Sequence, residues 1–159
     1  MGDTNRFRKF ADLIAYHFPN KEFRIADVAS GKGNLQHELR QRKYVNVISW
    51  DKIKRNIKGR NIYKYGYFSH TCKEKYDLVI GLHPDEATDH IILYCVKNNV
   101  PFVVCPCCVK PLAIQYKGNL QFESWIKHLE HLADGFFISY HYLRIKGKNL
   151  VLSGKPKER

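Results

Sequence analysis

The sequence lacks the patterns of exported and membrane-spanning proteins. Its first seven residues show no charged start leading into an apolar stretch and a small-residue cleavage site, so no secretory signal is predicted. No apolar run approaches the roughly 20 residues that a membrane-spanning helix needs. We therefore expect a soluble, cytoplasmic protein.

Cysteine is present only as an odd set without paired spacings: Cys72, Cys95, Cys105, Cys107 and Cys108. Without an export signal, such a set favours reduced thiols over a disulfide framework. A closed zinc site usually needs two separated ligand pairs, and the sequence has no second C-x-x-C or H-x-x-x-H partner. No metal site is predicted.

Repeats and low-complexity linkers are also missing. A chain of 159 residues with 44% hydrophobic side chains is long enough for one ordinary core and too short for two comfortable domains. Residues 1–159 are therefore expected to form a single domain. Helical and strand patterns alternate along it, and this alternation is typical of an α/β fold with a parallel sheet covered by helices.

The hydrophobic periodicity predicts the individual elements. Helices are predicted at residues 6–18, 34–43 and 122–133, with another between the fourth and fifth strands that places Ala87, Ile91, Tyr94 and Cys95 on one side. Strands are predicted at residues 23–28, 45–50, 62–65, 76–82, 100–105, 136–144 and 149–152. Only residues 145–148 join the last two strands, which is short enough for an antiparallel hairpin alone.

A glycine turn follows the first predicted strand. Asp27 ends that strand, and Ala29, Gly31 and Gly33 then occupy alternate positions before the helix that begins at Asn34. Glycines let a backbone approach a ligand closely, and the following helix begins with free N–H groups. The dinucleotide-binding pattern G-x-G-x-x-G is incomplete, because Gln36 stands at its third glycine.

The turn resembles the acidic-x-Gly-x-Gly-x-Gly motif of class I S-adenosylmethionine-dependent methyltransferases, with Ala29 in the place of the first glycine. A second element is Asp51, which lies 18 residues beyond Gly33 after the second strand, where a carboxylate can accept hydrogen bonds from ribose hydroxyls. Ile53 is then placed to cover the adenine. The alternative is that the glycines only make a turn and that Asp51 caps a helix.

The resemblance covers nearly the whole chain at the level of fold, and residues 27–34 and Asp51 at the level of motif. It implies a three-layer Rossmann-like sheet, mostly parallel, with the C-terminal antiparallel hairpin strand and the strand order of methyltransferases. A nicotinamide dehydrogenase half-domain would continue with parallel crossovers instead. The implied cofactor is S-adenosyl-L-methionine, and the implied binding residues are Asp27, Ala29, Ser30, Gly31, Gly33, Asn34, Asp51, Lys52 and Ile53.

In open α/β sheets ligands bind beyond the carboxyl ends of the strands, so the methyl acceptor is expected near the loops after the fourth and fifth strands. His83 and Asp85 in the first of these loops are the candidate catalytic residues, because either can hold or deprotonate a nitrogen or oxygen nucleophile. The alternatives are that His83 is satisfied by backbone contacts and that Asp85 is a helix N-cap.

These two loops resemble those of a methyltransferase-like subfamily that carries Gly-Leu-His and Pro-Cys-Cys, matched here by residues 81–83 and 106–108. In that subfamily a small-Cys-Gly-Asp run follows the histidine, and residues 84–86 (Pro-Asp-Glu) depart from it. The chain also lacks the Asn/Asp-Pro-Pro-aromatic loop typical of base amino-group methylation.

Several other side chains have a functional and a structural interpretation. A thiolate after the fifth strand would attack a pyrimidine ring, as in cytosine-C5 RNA methyltransferases, but buried and unreactive thiols are favoured. His128 and His131 are interpreted as the solvent-exposed edge of their helix rather than as metal ligands. Local packing is favoured over base stacking for four aromatic residues: Tyr63, Tyr65, Tyr67 and Phe68.

The net charge of +12 is concentrated in two segments. Residues 40–64 hold nine basic side chains against one acidic, and residues 144–159 hold six against one. Both contribute to the expected carboxyl edge of the sheet, where a basic rim would bind phosphates. Its predicted members are Lys52, Lys54, Arg55, Lys58, Arg60, Lys146 and Lys148.

The basic rim makes RNA the leading methyl acceptor, although a small acidic molecule fits the same charges. A compact chain without an added recognition domain implies that any RNA specificity is shallow or comes from a protein partner. The alternative of another class is a non-catalytic RNA-binding module that retains the methyltransferase fold, suggested by Ala29 and by residues 84–86. A nicotinamide oxidoreductase is disfavoured.

Overall fold

A computed structural model describes residues 4–54, 62–107 and 121–157. The helices in these segments are α1 (Arg6–His17), α2 (Asn34–Gln41), α3 (Thr88–Asn98) and α4 (Phe122–Leu132), with a short 3-10 helix at Asp85–Ala87 before α3. The strands are β1 (Ile25–Val28), β2 (Val47–Asp51), β3 (Ile62–Tyr65), β4 (Leu78–Leu82), β5 (Phe102–Cys105), β6 (Phe136–Tyr142) and β7 (Leu150–Pro156).

The strands form one sheet in the order β3-β2-β1-β4-β5-β7-β6. Neighbours from β3 to β5 pair in parallel, whereas β7 runs antiparallel to both β5 and β6. The predicted mostly parallel sheet with an antiparallel hairpin strand is thus confirmed. The chain order reverses between β1 and β4, and this switch point is where an open α/β sheet leaves a crevice at its carboxyl edge.

Helices cover both faces of the sheet. The residues of β1, β4 and β5 are all buried, as expected for parallel strands packed on both sides. One core contains the apolar residues of α1 and α2, and the other contains those of α3 and α4. Among the described residues, no helix has the length and apolarity needed to cross a bilayer.

The last strand is longer than predicted. Residues 149–152 were expected, but β7 continues to Pro156. Ser153, Gly154 and Lys155 have low strand propensity, and pairing with β5 on one side and β6 on the other outweighs it. The other predicted bounds differ by one or two residues, the usual uncertainty where helices fray and strands end.

His128 corrects the predicted solvent edge of α4. Its side chain is only 10% exposed, its Nε2 lies 3.1 Å from Asp89 Oδ2 of α3, and its ring stacks on Trp125. His131 is exposed, as predicted. The predicted apolar stripe of α4 is confirmed. The sequence could not show that the buried carboxylate of Asp89 in α3 draws His128 into the interface between the two helices.

Candidate functional site

A cavity of about 390 Å³ opens at the carboxyl ends of β1, β2 and β4. Its walls are the glycine turn, the residues after β2, the segment after β3, and the loop between β4 and α3. The volume falls within the range of about 300–1,000 Å³ that is usual for small-molecule sites. The cavity lies at the switch point of the sheet, where the sequence placed the cofactor.

The glycine turn has a left-handed backbone at three alternate positions: Ala29 (φ 58°), Gly31 (φ 58°) and Gly33 (φ 82°). Ala29 therefore adopts the conformation that favours glycine, at a cost of about 1–2 kcal/mol for a residue with a Cβ atom. A Cβ atom added at Gly31 would meet nothing within 4 Å. Gly31 thus leaves open space at the cavity wall, and the alanine at position 29 preserves the shape of the turn.

Asp51 connects the end of β2 to this turn. Its side chain is buried, its Oδ2 accepts the Gly31 N–H at 2.7 Å, and its Oδ1 accepts the Ile53 N–H at 2.8 Å. Residues 52–54 are not helical. Because each carboxylate oxygen can accept more than one hydrogen bond, these contacts are compatible with binding of ribose hydroxyls.

A buried polar chain lies beneath the turn. The Gln36 amide donates to Ser49 Oγ at 2.9 Å, and Ser49 Oγ donates to Asp27 Oδ2 at 3.3 Å. Burial raises the pKa of Asp27 to about 7; the Ser49 hydrogen bond opposes this shift and the charge of Asp51 adds to it. Gln36, which the sequence showed only as a missing glycine, fixes α2 to β2 through this chain and through Val47 O.

The predicted cofactor residues divide into two groups. Those that border the cavity are Ala29, Gly31, Asp51, Lys52 and Ile53, and those that do not are Asp27, Ser30, Gly33 and Asn34. Ser30 is buried, and its hydroxyl has no hydrogen-bond partner among the described residues. Ile53 is 49% exposed at the mouth of the cavity.

The loop between β4 and α3 forms the opposite wall of the cavity. His83 (φ 55°) and Asp85 (φ 54°) both have left-handed backbones, and such strain in residues other than glycine costs about 1–3 kcal/mol each and clusters at functional sites. Gly81 has no room for a side chain, because a Cβ atom there would lie 2.7 Å from Ile91 Cδ1. Tight packing below the loop therefore holds His83 and Asp85 at the cavity.

Both candidate catalytic side chains contact neighbouring loops. His83 Nε2 donates to Lys148 O in the β6–β7 turn at 2.9 Å, and Asp85 Oδ1 accepts the thiol of Cys107 at 3.1 Å. The N-cap of the short helix is Pro84, so the interpretation of Asp85 as its N-cap is wrong. The backbone contact of His83 agrees with the structural alternative for that residue, and His83 also borders the cavity.

The thiol of Cys105 at the end of β5 does not resemble a nucleophile. Burial raises the pKa of Cys105 to about 12, which keeps it protonated. Cys107 donates to Asp85, and Cys108 lies outside the described residues. Across residues 4–54, 62–107 and 121–157, no three His, Cys, Asp or Glu side chains are grouped so that they could hold a metal ion.

The aromatic segment after β2 is only partly packed. Phe68 is buried, as predicted, but Tyr65 and Tyr67 are 64% and 75% exposed, so the packing interpretation is wrong for these two. Tyr67 borders the cavity, and Tyr63 donates its hydroxyl to Ile53 O. The rings of Tyr65 and Tyr67 therefore offer exposed aromatic surface beside the cavity.

The predicted basic rim is described in part. Lys54, Lys146 and Lys148 are exposed, and Lys148 Nζ lies 4.0 Å from the centre of the Phe122 ring. Lys52 pairs with Glu86 across the cavity mouth, and this hydrogen bond raises the pKa of Lys52. The other predicted members, Arg55, Lys58 and Arg60, lie outside the described residues.

Two cavity residues had no signal in the sequence. Glu86 was seen only as part of an unfamiliar loop, yet it forms the ion pair at the mouth. His90 borders the cavity from α3 and contacts His70 in the loop after β3. Residues that meet only through tertiary structure leave no spacing that a sequence pattern can show.

No family model matches the sequence, and no curated protein matches it. Solved structures do match. Magnesium protoporphyrin IX methyltransferase from Synechocystis PCC 6803, with bound S-adenosylmethionine, is 15% identical over 96% of this chain and 80% of its own, with a TM-score of 0.67.

Two further structures match at a TM-score of 0.63 each. The 1,6-didemethyltoxoflavin-N1-methyltransferase from Burkholderia thailandensis is 11% identical over 96% of this chain and 79% of its own. The ribosomal protein L11 methylase from Lactobacillus delbrueckii subsp. bulgaricus is 16% identical over 93% and 77%. The chain therefore has the Rossmann-like fold of class I S-adenosylmethionine-dependent methyltransferases.

Proposed function

We propose that this protein is an S-adenosylmethionine-dependent methyltransferase that acts on RNA. The observation that carries the proposal is the open cavity at the switch point, bounded by the glycine turn, by Asp51 and by the strained loop at His83 and Asp85. The side chains of the described residues leave this cavity open, and the buried carboxylate of Asp51 at its wall accepts a hydrogen bond from the turn.

The residues at the cavity suit a sulfonium nucleoside. Gly31 leaves room for close approach to the backbone, Asp51 offers carboxylate oxygens to ribose hydroxyls, and Ile53 provides an apolar surface for a base. When bound, the cofactor supplies an electrophilic methyl group on a positively charged sulfur.

The loop between β4 and α3 would align the acceptor and receive its proton. Because His83 Nε2 donates to Lys148 O, Nδ1 is the ring nitrogen that can accept a proton in the neutral imidazole. Asp85 places a second proton acceptor at the same cavity. The hydrogen bond to the Lys148 carbonyl keeps the imidazole in one orientation. Such alignment is the main contribution that an enzyme makes to the rate of an in-line displacement.

The charge distribution favours RNA as the acceptor. Lys54 follows β2 and Lys146 and Lys148 lie between β6 and β7, so all three are at the carboxyl edge that carries the cavity. The exposed rings of Tyr65 and Tyr67 add surfaces on which bases stack. The names of the similar structures give a porphyrin, a toxoflavin precursor and a ribosomal protein, so the fold does not decide the acceptor.

Titration calorimetry with S-adenosylmethionine tests the cofactor assignment. We expect micromolar binding to the wild type and binding at least about tenfold weaker to Asp51→Ala, since a charge-assisted hydrogen bond contributes about 1.5–3 kcal/mol. Asp51→Asn is the matched control, because it retains one acceptor oxygen for the turn. Equal affinity of the three proteins would refute the ribose role of Asp51, and no binding to the wild type would refute the cofactor assignment.

Transfer of a labelled methyl group to total RNA tests the acceptor. The proposal requires label in RNA with the wild type and much less with His83→Ala or Asp85→Asn. RNA binding without S-adenosylmethionine binding would instead identify a non-catalytic module. Label found only in small molecules would exclude RNA while leaving the methyltransferase assignment in place.

A further inference from the structure

Two histidines meet at the wall of the cavity. His70 lies in the loop after β3 and His90 in the first turn of α3. Their rings are stacked at 16° with centroids 5.2 Å apart, and the two Nδ1 atoms are separated by 3.0 Å. The backbone N–H of His70 also donates to His90 Nδ1 at 3.2 Å.

This geometry fixes where the protons are. His90 Nδ1 accepts the His70 N–H and therefore carries no proton of its own. His70 Nδ1 then supplies the single proton between the two nitrogens. A neutral imidazole with an unprotonated Nδ1 has its proton on Nε2, and the described residues offer no partner for Nε2 of His90. His90 thus brings an unused N–H donor to the cavity wall.

The surroundings keep His90 neutral. Burial lowers its pKa, the neighbouring His70 lowers it further, and the adjacent Asp89 of α3 opposes both effects. The other acidic groups that border the cavity are Asp51, Asp85 and Glu86, which are engaged by the Gly31 N–H, by Cys107 and by Lys52 respectively.

The cavity that His90 borders also has apolar walls suited to a flat ring. Tyr67 and Phe68 border it from the segment after β3, and Ile53 borders it after β2. Apolar walls with one N–H donor match a purine, which is planar and has unprotonated nitrogens at its edge. Asp51, by contrast, offers only acceptors and suits the sugar.

We infer that His70 holds His90 as the Nε2–H tautomer and that His90 donates a hydrogen bond to a ring nitrogen of the cofactor's adenine. The inference rests on the proposed function and makes His90 a specificity-determining residue and His70 a positioning residue. A proton on His90 Nδ1 would point at the N–H donors of His70. The contact between the two histidines therefore holds only while His90 is neutral.

Calorimetry with S-adenosylhomocysteine and its 1-deaza, 3-deaza and 7-deaza analogues tests the hydrogen bond. One analogue should bind the wild type about five- to tenfold more weakly than S-adenosylhomocysteine, because it lacks the accepting nitrogen. In His90→Phe, which keeps a flat ring, all four ligands should bind with equal affinity. Equal binding of all four to the wild type would overturn the inference but not the proposed function, whereas no binding of S-adenosylhomocysteine would overturn both.

Nitrogen NMR of the imidazoles tests the positioning role independently of binding. The wild type should show His90 protonated at Nε2 and accepting at Nδ1. In His70→Ala the pKa of His90 should rise, and in His131→Ala, which changes an exposed histidine of α4, it should stay constant. A protonated Nδ1 on neutral His90, or an unchanged pKa in His70→Ala, would contradict the assignment.

Discussion

The glycine turn shows how single residues decide the shape of the cavity. Ala29 and Gly31 have the same φ of 58°. Because Gly31 has no side chain, however, the space beside it at the cavity wall is open. A sequence motif records both positions as glycine sites. The structure separates their roles, because position 29 requires the backbone conformation and position 31 also requires the space.

Gly31→Ala should therefore weaken S-adenosylmethionine binding as well as the fold. A Cβ atom in a left-handed conformation costs about 1–2 kcal/mol of unfolding free energy, and a methyl group in the cavity should weaken binding about tenfold. Gly135→Ala is the control: Gly135 also has positive φ (87°) with nothing within 4 Å, but it does not border the cavity. Calorimetry and urea unfolding of both variants measure the two effects. Equal loss of binding in the two variants would exclude a direct role for Gly31.

Asp27 should make the stability of the protein depend on pH. Its pKa rises from 3.8 to about 7 on burial, so between these values the unfolded chain releases the proton while the folded protein keeps it. Its contribution is fully present below pH 3.8 and is lost as the pH rises through 7. Asp27→Asn cannot ionise. Relative to this variant, the wild type should lose about 4 kcal/mol of unfolding free energy between pH 4 and pH 8.

Urea unfolding of both proteins at several pH values measures this difference, because groups remote from Asp27 titrate equally in the two. A constant difference across that range would show that Asp27 ionises as readily in the fold as in the unfolded chain.

Residue roles were predictable where they follow from local spacing. Asp51 could be placed at the glycine turn because its distance from Gly33 and its position after a strand determine where it lies. The alternative of a helix cap failed for Asp85 because the short 3-10 helix has its N-cap one residue earlier, at Pro84. The contact of Asp85 with Cys107 comes from the segment after β5. Such contacts depend on how strands assemble, which one segment cannot reveal.

At the level of elements, strand propensity failed for the second half of β7. The residues there are weak strand formers, and β7 is nevertheless paired on both sides. Gly154 explains part of this result, since a Cβ atom would lie 2.3 Å from Phe102 Cε1 in β5. The ring of Phe102 occupies the space over the glycine and also stacks on Phe136 of β6.

Gly154→Ala should consequently destabilise the protein by about 1–3 kcal/mol through overpacking against Phe102. Phe102→Leu should lose stability by itself, but the double variant should recover part of the loss, because the smaller side chain makes room for the methyl group. Unfolding free energies of the four proteins measure the coupling. Strict additivity would show that the glycine is needed for another reason.

At the level of the whole molecule, exposed lysines lie at both edges of the sheet. The fold places the exposed Lys54 and Lys146 at the carboxyl edge, near the cavity, whereas Lys97 at the end of α3 and Lys157 after β7 are exposed at the amino edge. The four described members of the predicted rim, Lys52, Lys54, Lys146 and Lys148, follow β2 or lie between β6 and β7, as the predicted strands implied. The sequence could not predict that Lys52 pairs with Glu86, since the partner belongs to a different loop.

Reversing Lys54 and Lys146 to Glu should weaken RNA binding and reduce its salt dependence. Each lost phosphate contact lowers the slope of log K against log salt by about 0.7 for single strands. The control reverses Lys97 and Lys157, which changes the net charge equally at the amino edge. Filter binding at several salt concentrations should show a smaller slope only in the first variant. An equal salt slope in the two variants would mean that RNA binding depends on the net charge of the protein and not on lysines at the carboxyl edge.

The position of β7 between β5 and β6 has a consequence for synthesis on the ribosome. In the nascent chain, β6 emerges before β7, yet β7 is its hydrogen-bonded neighbour in the sheet. Until residues 150–156 have been translated, β6 lacks the strand with which it pairs. The turn that carries the Lys148 carbonyl, the hydrogen-bond acceptor for His83, is then not yet formed. The local hairpin should therefore form first and dock onto β5 as a unit, so that the loop between β4 and α3 acquires its final arrangement at the last step of folding.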